Sequence, residues 1–198
     1  MAETIREPKQ KRSIEKKERI IKAGYDLFAK KGYFNTNTAE IAKAAGVSTG
    51  IVYGYFHDKR DILLEALDNY IHIVFTPIFA LLDDVTELDF TKIIPLALDL
   101  GVKAHRENKE MHNTLHALSA EDDLVLARFT ALEQEITMSL SKKLSALGYP
   151  SKNLYEKVHT AIIFVQSFAH EAVYDNHDYI DYGEMRRLVT TALIDIFQ

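Results

Sequence analysis

The chain has 198 residues, 47% of them hydrophobic, with a formal net charge of −5 and no cysteine. That length suffices for a buried core in one or two domains, and the missing cysteine excludes disulfides, thiolate zinc sites and thiol redox sensing. The charge is divided: residues 1–60 hold 13 Lys+Arg against 7 Asp+Glu, whereas residues 61–198 hold 11 against 22, so a basic head precedes an acidic body.

Taken in chain order, caps and breakers predict an all-α chain of about nine helices. The first helix is expected from Ser13 to about Lys31, with Ile20, Ile21, Gly24, Leu27 and Phe28 facing inward. The basic cluster Lys9, Lys11, Arg12, Lys16 and Lys17 is read as preceding it, either as a solvated tail or as an arm along a phosphate backbone or minor groove. Two short helices follow, Asn37–Ala45 and Ser48–Phe56. Asn37 and Glu40 have capping-box spacing, Gly46 suits a turn that needs φ > 0, and Ser48 is a good N-cap. Val52 and Phe56, four apart, point inward, which leaves Thr49, Gly50, Ile51, Tyr53, Gly54 and Tyr55 on the other side.

Asp58 caps a long helix from Lys59 that carries Ile62, Leu63, Ala66, Leu67 and Tyr70. Thr76-Pro77 reads as the start of a separate short helix to about Leu82. Further helices are expected at Phe90–Arg106 and Lys109–Leu118. A long one opens at Ser119-x-x-Asp122 and ends at Leu147, before Gly148 and Pro150. Ser151 to about Tyr174 and Tyr182 to Phe197 complete the chain. The first dozen residues carry no apolar signal segment. The apolar stretch Ile71–Leu82 is interrupted by His72, Thr76 and Pro77 and is shorter than the ~20 residues of a span. The expectation is a soluble, cytoplasmic protein without a membrane partner.

The run Thr36–Leu63, two short helices about a glycine turn followed by a longer helix, has the layout of a helix-turn-helix. Together with the preceding RIIKAGYDLFAKKGY it resembles the amino-terminal domain of TetR-family transcriptional regulators. The resemblance is carried by Ile21, Ala23, Leu27, Phe28, Gly32, Tyr33, Thr36, Ile41, Ala42, Ala45, Gly46, Val47, Ser48, Gly50, Tyr53, Phe56, Lys59 and Leu63, in order and without a gap over about a quarter of the chain. Gly24, Thr38 and Arg60 depart from the commonest pattern without removing a backbone requirement. The resemblance implies a three-helix DNA-binding domain over residues 1–60 and a helical ligand-binding and dimerisation domain over residues 61–198. Its implied partners are double-stranded DNA, a small-molecule effector and a second copy of the chain. With geometry it assigns Thr49, Ile51 and Tyr55 to base edges, and Thr38, Ser48, Tyr53, His57 and Lys59 to phosphate. Gly50 and Gly54 permit close backbone approach.

In the body, Leu154–Val173 and Met185–Phe197 carry apolar residues on more than one face, so one face is left over beyond an intrachain core. In the family resembled, these last two helices form a four-helix homodimer interface, which would set two recognition helices ~34–36 Å apart on a palindrome. The resemblance also implies an effector pocket, for which Phe75, Phe79, Phe90, Phe129, Phe164, Phe168 and Tyr174 are aromatic lining candidates. His112 and His116, four apart, with His105, His159 and His170 elsewhere, raise the alternative of a metal-responsive regulator, but no third ligand stands at fixed spacing, and no metal or cofactor is assigned. With no P-loop, dinucleotide fingerprint or H-E-x-x-H motif, no catalytic residue is assigned and no enzyme activity is expected. A helical sensing or protein-binding module that does not act through DNA is the other alternative.

Overall fold

The computed structural model describes residues 10–83, 85–150 and 152–198. Among the described residues there are nine α-helices and no strand: α1 Lys11–Lys31, α2 Thr38–Ala45, α3 Thr49–Tyr53, α4 Lys59–Leu81, α5 Phe90–Glu107, α6 Lys109–Ser119, α7 Asp123–Ala146, α8 Leu154–Tyr174 and α9 Tyr182–Phe197. They form two compact units. One holds the described residues up to Tyr70 together with Glu110–Phe129; the other holds Ile71–Lys109 and Thr130–Gln198. Helix α6 therefore belongs with the amino-terminal helices, although the chain visits the second unit before reaching it.

The first unit is built around Ile20 and Phe28 of α1, Ile41 of α2, Val52 of α3, Ile62, Leu63 and Leu67 of α4, and Met111 and Leu115 of α6, all at most 1% exposed. Each such side chain contributes roughly 1.5–3 kcal/mol on burial. Gly24 is buried where α1 meets α4, and a Cβ there would lie 2.5 Å from Ile62 Cγ2. The glycine is a packing requirement: the two helices approach closer than alanine allows. Arg128 forks onto Asp68 with two bonds of 2.7 Å, tying the start of α7 to α4.

The second unit centres on α5 and α8, packed with α9. Leu98, Ala169 and Leu193 are fully buried there. Gly101 makes the close approach possible, since a Cβ would meet Val165 Cγ1 at 2.7 Å. Arg186 of α9 reaches Asp99 at 2.8 Å and the Pro95 carbonyl at 3.2 Å, and Tyr149 donates to the Phe197 carbonyl at 2.8 Å.

Several boundaries differ from the sequence reading. Helix α1 starts at Lys11, so Lys11, Arg12, Lys16 and Lys17 sit on its first turns and not on a preceding arm; Lys9 lies outside the described residues. Thr76-Pro77 does not open a new helix: α4 runs through Pro77 to Leu81. Proline removes one backbone bond, to the Ile73 carbonyl, at a half-exposed stretch, while Val74, Phe75 and Leu82 on the other side are buried and hold the chain straight on. The 23-residue α4 is thereby long and apolar enough to cross a membrane by length and composition. Its apolar side is core, however, and Lys59, Arg60, Asp61, Glu65 and Asp68 are on it. Helix α3 is shorter than Ser48–Phe56, ending at Tyr53. The α7 cap is Asp122, which accepts from Leu124 N at 3.0 Å, whereas Ser119 donates back to the His116 carbonyl. Helix α8 starts at Leu154 after Asn153 at φ 56°, and Ser151 lies outside the described residues.

Candidate nucleic-acid interface and effector cavity

The helix-turn-helix is assembled from local bonds. Asn37 Oδ1 accepts from Glu40 N at 3.0 Å, and Glu40 Oε2 accepts from Asn37 N, a reciprocal capping box. Lys31 adds an ion pair to Glu40 at 2.6 Å. That bond and the one from the Asn37 backbone hold the Glu40 carboxyl below its ordinary value. Gly46 takes the left-handed conformation at φ 66° and ends α2. Ser48 then caps α3, accepting from Ile51 N. The string Gly46-Val47-Ser48-Thr49-Gly50 also spells G-x-S-x-G, but a nucleophile elbow needs a strand before the serine and a helix after it. Here a helix stands on each side and the serine oxygen is committed to capping.

Val52 is fully buried and Phe56 nearly so, which fixes the rotation of α3. Gly50, Tyr53 and Gly54 are exposed and Thr49 and Ile51 half-buried, so these five candidates share one accessible side. A Cβ at Gly50 would meet nothing closer than Ser48 Oγ at 4.0 Å. Space inside the protein does not demand glycine there. Ser48 and His57 are also exposed, and Thr38, half-buried, is the first residue of α2.

Two candidates are already engaged within the chain. The Tyr55 hydroxyl lies 2.7 Å from Ser13 Oγ, so its ring leans toward α1 and its polar tip is tied there. Lys59 Nζ donates to the carbonyls of Tyr33 and Thr36, each at 2.9 Å, and stands 4.3 Å from the centre of the Tyr33 ring. Lys59 thus latches the α1–α2 connection to the start of α4. That start is capped by Asp58, which accepts from Arg60 N at 2.7 Å, while Asp61 accepts from His57 N at 2.8 Å. Burial raises the Tyr33 hydroxyl above its ordinary range, so the ring under Lys59 stays neutral at working pH.

The second unit contains a cavity with about 100 Å³ of free space, lined by α4, α5, α7, α8 and α9. Of the seven aromatic candidates only Phe75 and Phe90 line it. Phe129 belongs to the first unit, 5.5 Å from the His116 ring. Phe168 is core, Phe164 points outward at 38% exposure, Phe79 is half-buried elsewhere, and Tyr174 donates to the His105 carbonyl at 2.9 Å. The wall that sequence reading missed includes Phe197, stacked on Phe90 at 4.5 Å, and the polar residues His105 and Gln166. One signal for it was legible: Phe90, Ile93, Ile94, Ala97, Gly101 and His105 form a single stripe of α5.

His112 and His116 meet, their ring centres 4.1 Å apart, but the polar partner of His112 differs from that of His105. His112 Nδ1 is 2.7 Å from the Tyr70 hydroxyl and His105 Nδ1 2.9 Å from the Gly101 carbonyl. Among the described residues no group of three His, Cys, Asp or Glu side chains could hold a metal ion.

Residues 20–66 match the profile of "Bacterial regulatory proteins, tetR family". Over 55 residues the chain is 47% identical to HTH-type transcriptional regulator HbdR of Aromatoleum sp. (strain CIB), covering 28% of this chain and 24% of that protein. Over 57 residues it is 51% identical to the uncharacterized HTH-type transcriptional regulator YerO of Bacillus subtilis (strain 168), covering 29% and 20%. The chain thus spans about a quarter and a fifth of the length of these curated relatives. A solved structure from Mesorhizobium loti, assigned to the TetR family of transcriptional regulators, superposes with a TM-score of 0.71 over 94% of this chain and 97% of that one at 19% identity, a likeness of fold. The capped helix-turn-helix and the profile match over it agree: residues 20–66 are a TetR-type amino-terminal domain of bacterial regulatory proteins, and the nine helices of the described residues share the fold of that solved structure.

Proposed function

We propose that this protein is a DNA-binding transcriptional regulator, a repressor that holds a palindromic operator as a homodimer and is released when a small molecule occupies the cavity of the second unit. The observation that carries the reading is the accessible side of α3. Thr49, Gly50, Ile51, Tyr53 and Gly54 present small, hydroxyl-bearing and β-branched groups outward from a helix whose other side is locked by Val52. Ile51 suits a thymine methyl, and the hydroxyls of Thr49 and Tyr53 suit base edges or phosphate. Tyr55, tied to Ser13, supports the domain from behind and is withdrawn from base reading. Thr38, Ser48 and His57 are the phosphate contacts at the rim, and Lys59 adds positive charge there while it braces the fold.

Dimerisation is supported by α8 and α9, where Ile163, Phe164 and Leu188 are 48%, 38% and 55% exposed in the single chain. Two copies paired there supply two recognition helices, which a palindrome requires. Release by an effector then follows from linkage: a ligand that prefers the conformation unable to bind DNA lowers DNA affinity by the same factor by which DNA lowers ligand affinity.

The test is a gel shift of the full chain on duplexes from its own upstream region, intact and with one half-site scrambled, at two salt concentrations. Retained sequence preference with steep salt dependence, and a large loss on the scrambled half-site, supports the reading. Equal binding to every duplex, or none at low salt, rejects it.

A further inference from the structure

Resting on the reading of α3 as a recognition helix, we propose that Arg12, Lys16 and Arg19 of α1 form a separate phosphate-binding row, which lies along one strand beside the groove that α3 enters. The three stand four and three residues apart, so they share one flank of α1, within about 60° of arc and ~10 Å of helix axis. All three are exposed, and among the described residues none of them is in an ion pair. Other cations of the same unit are engaged: Lys17 by Glu65 at 2.5 Å, Lys22 by Asp26 at 3.0 Å, Lys31 by Glu40 at 2.6 Å and Arg60 by Asp122 at 3.1 Å. The structure thus sorts cations that are neighbours in sequence. Lys17 braces the fold, while Arg12 and Lys16 keep their charge for a partner.

Two contacts set the row beside α3. The Ser13 and Tyr55 oxygens are 2.7 Å apart, just past the end of α3. At its other end, Arg19 Nη1 reaches the turn that precedes α3, 3.9 Å from where a Cβ on Gly46 would stand. The stretch of α1 from Ser13 to Arg19 therefore passes both ends of the recognition segment, residues 46–55. Ile20, Ile21 and Gly24 turn the neighbouring side of α1 into the core, which fixes the rotation of the row. One strand of B-DNA offers a phosphate about every 3.4 Å of axis, so a row ~10 Å long spans about three. The other phosphate candidates need this help: Thr38 and Ser48 are uncharged, and a neutral hydroxyl releases no counterion. Because the row meets only phosphate, it strengthens binding to every sequence alike.

The experiment replaces Arg12, Lys16 and Arg19 by Gln, singly and together, which removes charge and keeps helix propensity. The full chain is titrated by fluorescence anisotropy with a duplex from its own upstream region and with a random duplex, from about 0.05 to 0.2 M salt. Each single variant is expected to flatten the slope of log affinity against log salt by about 0.9 per subunit, which is roughly 8-fold in affinity at about 0.1 M. The triple variant should lose about 2.7 per subunit, with melting temperature and sequence preference unchanged. Lys16→Arg keeps the charge and should bind as the parent does. Lys22→Gln, which removes a cation on the far side of α1, should change affinity about twofold or less. An unchanged slope in the triple variant, an altered sequence preference, a Lys22→Gln loss equal to that of Lys16→Gln, or a Lys16→Arg loss equal to it overturns the proposal. Where the parent chain prefers its own duplex and the triple variant keeps the full slope, the row alone falls. Where the parent chain binds neither duplex, the regulator reading falls and the row falls with it.

Discussion

Replacing Gly50 by alanine separates what α3 needs for folding from what it needs for DNA. The new Cβ has 4.0 Å of clearance to Ser48 Oγ and no other heavy atom within that radius, and Gly50 lies inside a helix. Alanine there should leave the fold intact and can stabilise it by up to about 1 kcal/mol, because glycine loses more backbone freedom on folding. At the nucleic-acid surface the sign reverses. If the α3 backbone approaches phosphate at Gly50, a methyl group stretches or breaks one charge-assisted hydrogen bond per subunit, ~1.5 kcal/mol each. The proposed dimer would carry the change twice, so about 3 kcal/mol, or roughly 100-fold in operator affinity, should be lost. The assay pairs urea denaturation with fluorescence-anisotropy titration of a labelled operator duplex. An unchanged or raised midpoint with the affinity loss fits the geometry. Undiminished affinity would show that this backbone stands clear of DNA, and a lowered midpoint would show that the space above Gly50 is occupied in solution.

Gly24→Ala should do the opposite, costing stability by overpacking, typically ~1–3 kcal/mol, against a helix-propensity gain of about 1 kcal/mol. Ile62→Leu removes the Cγ2 branch that the new methyl strikes, so a double-mutant cycle in urea should show favourable coupling of about 1 kcal/mol or more; additive effects would refute the contact. Lys59→Ala should lower operator affinity for every sequence and flatten its salt dependence by roughly one unit per subunit. It should also cost stability, since two carbonyl bonds are lost; a shift in sequence preference would contradict the phosphate role. Asp89, capping α5, accepts from Thr91 Oγ1 and then from Lys92, bonds that pull its carboxyl down to about 2. The sign is that of a depressed carboxylate: its stabilising effect is complete above the unfolded value of 3.8 and is lost as pH falls through about 2. Carbon-13 NMR titration should find it ionised at pH 3, and a midpoint near 4 would remove the cap bonds from the solution structure.

What was legible in the sequence is what local chemistry decides. Asn37 with Glu40, Gly46 and Ser48 act within four residues of their partners, so the helix-turn-helix could be read to its caps. Pro77 misled for the same reason: it is a strong local breaker, and only the burial of Val74, Phe75 and Leu82 around it keeps α4 continuous. The engagement of Tyr55 with Ser13 is not legible in the sequence, because the two stand 42 positions apart. The cavity was the least legible. Residue type alone does not find it, since the space is walled mostly by aliphatic side chains that meet only after five helices assemble, while Phe129 packs by His116 and Tyr174 by His170.

Phe197, in the last turn of α9, stacks on Phe90, accepts a hydrogen bond at its carbonyl from Tyr149 and lines the cavity. That turn therefore serves as a stopper for a hollow whose facing wall lies a hundred positions upstream in α5. Whatever loosens the end of α9 uncorks the hollow, so fraying there and access to the space inside are one event.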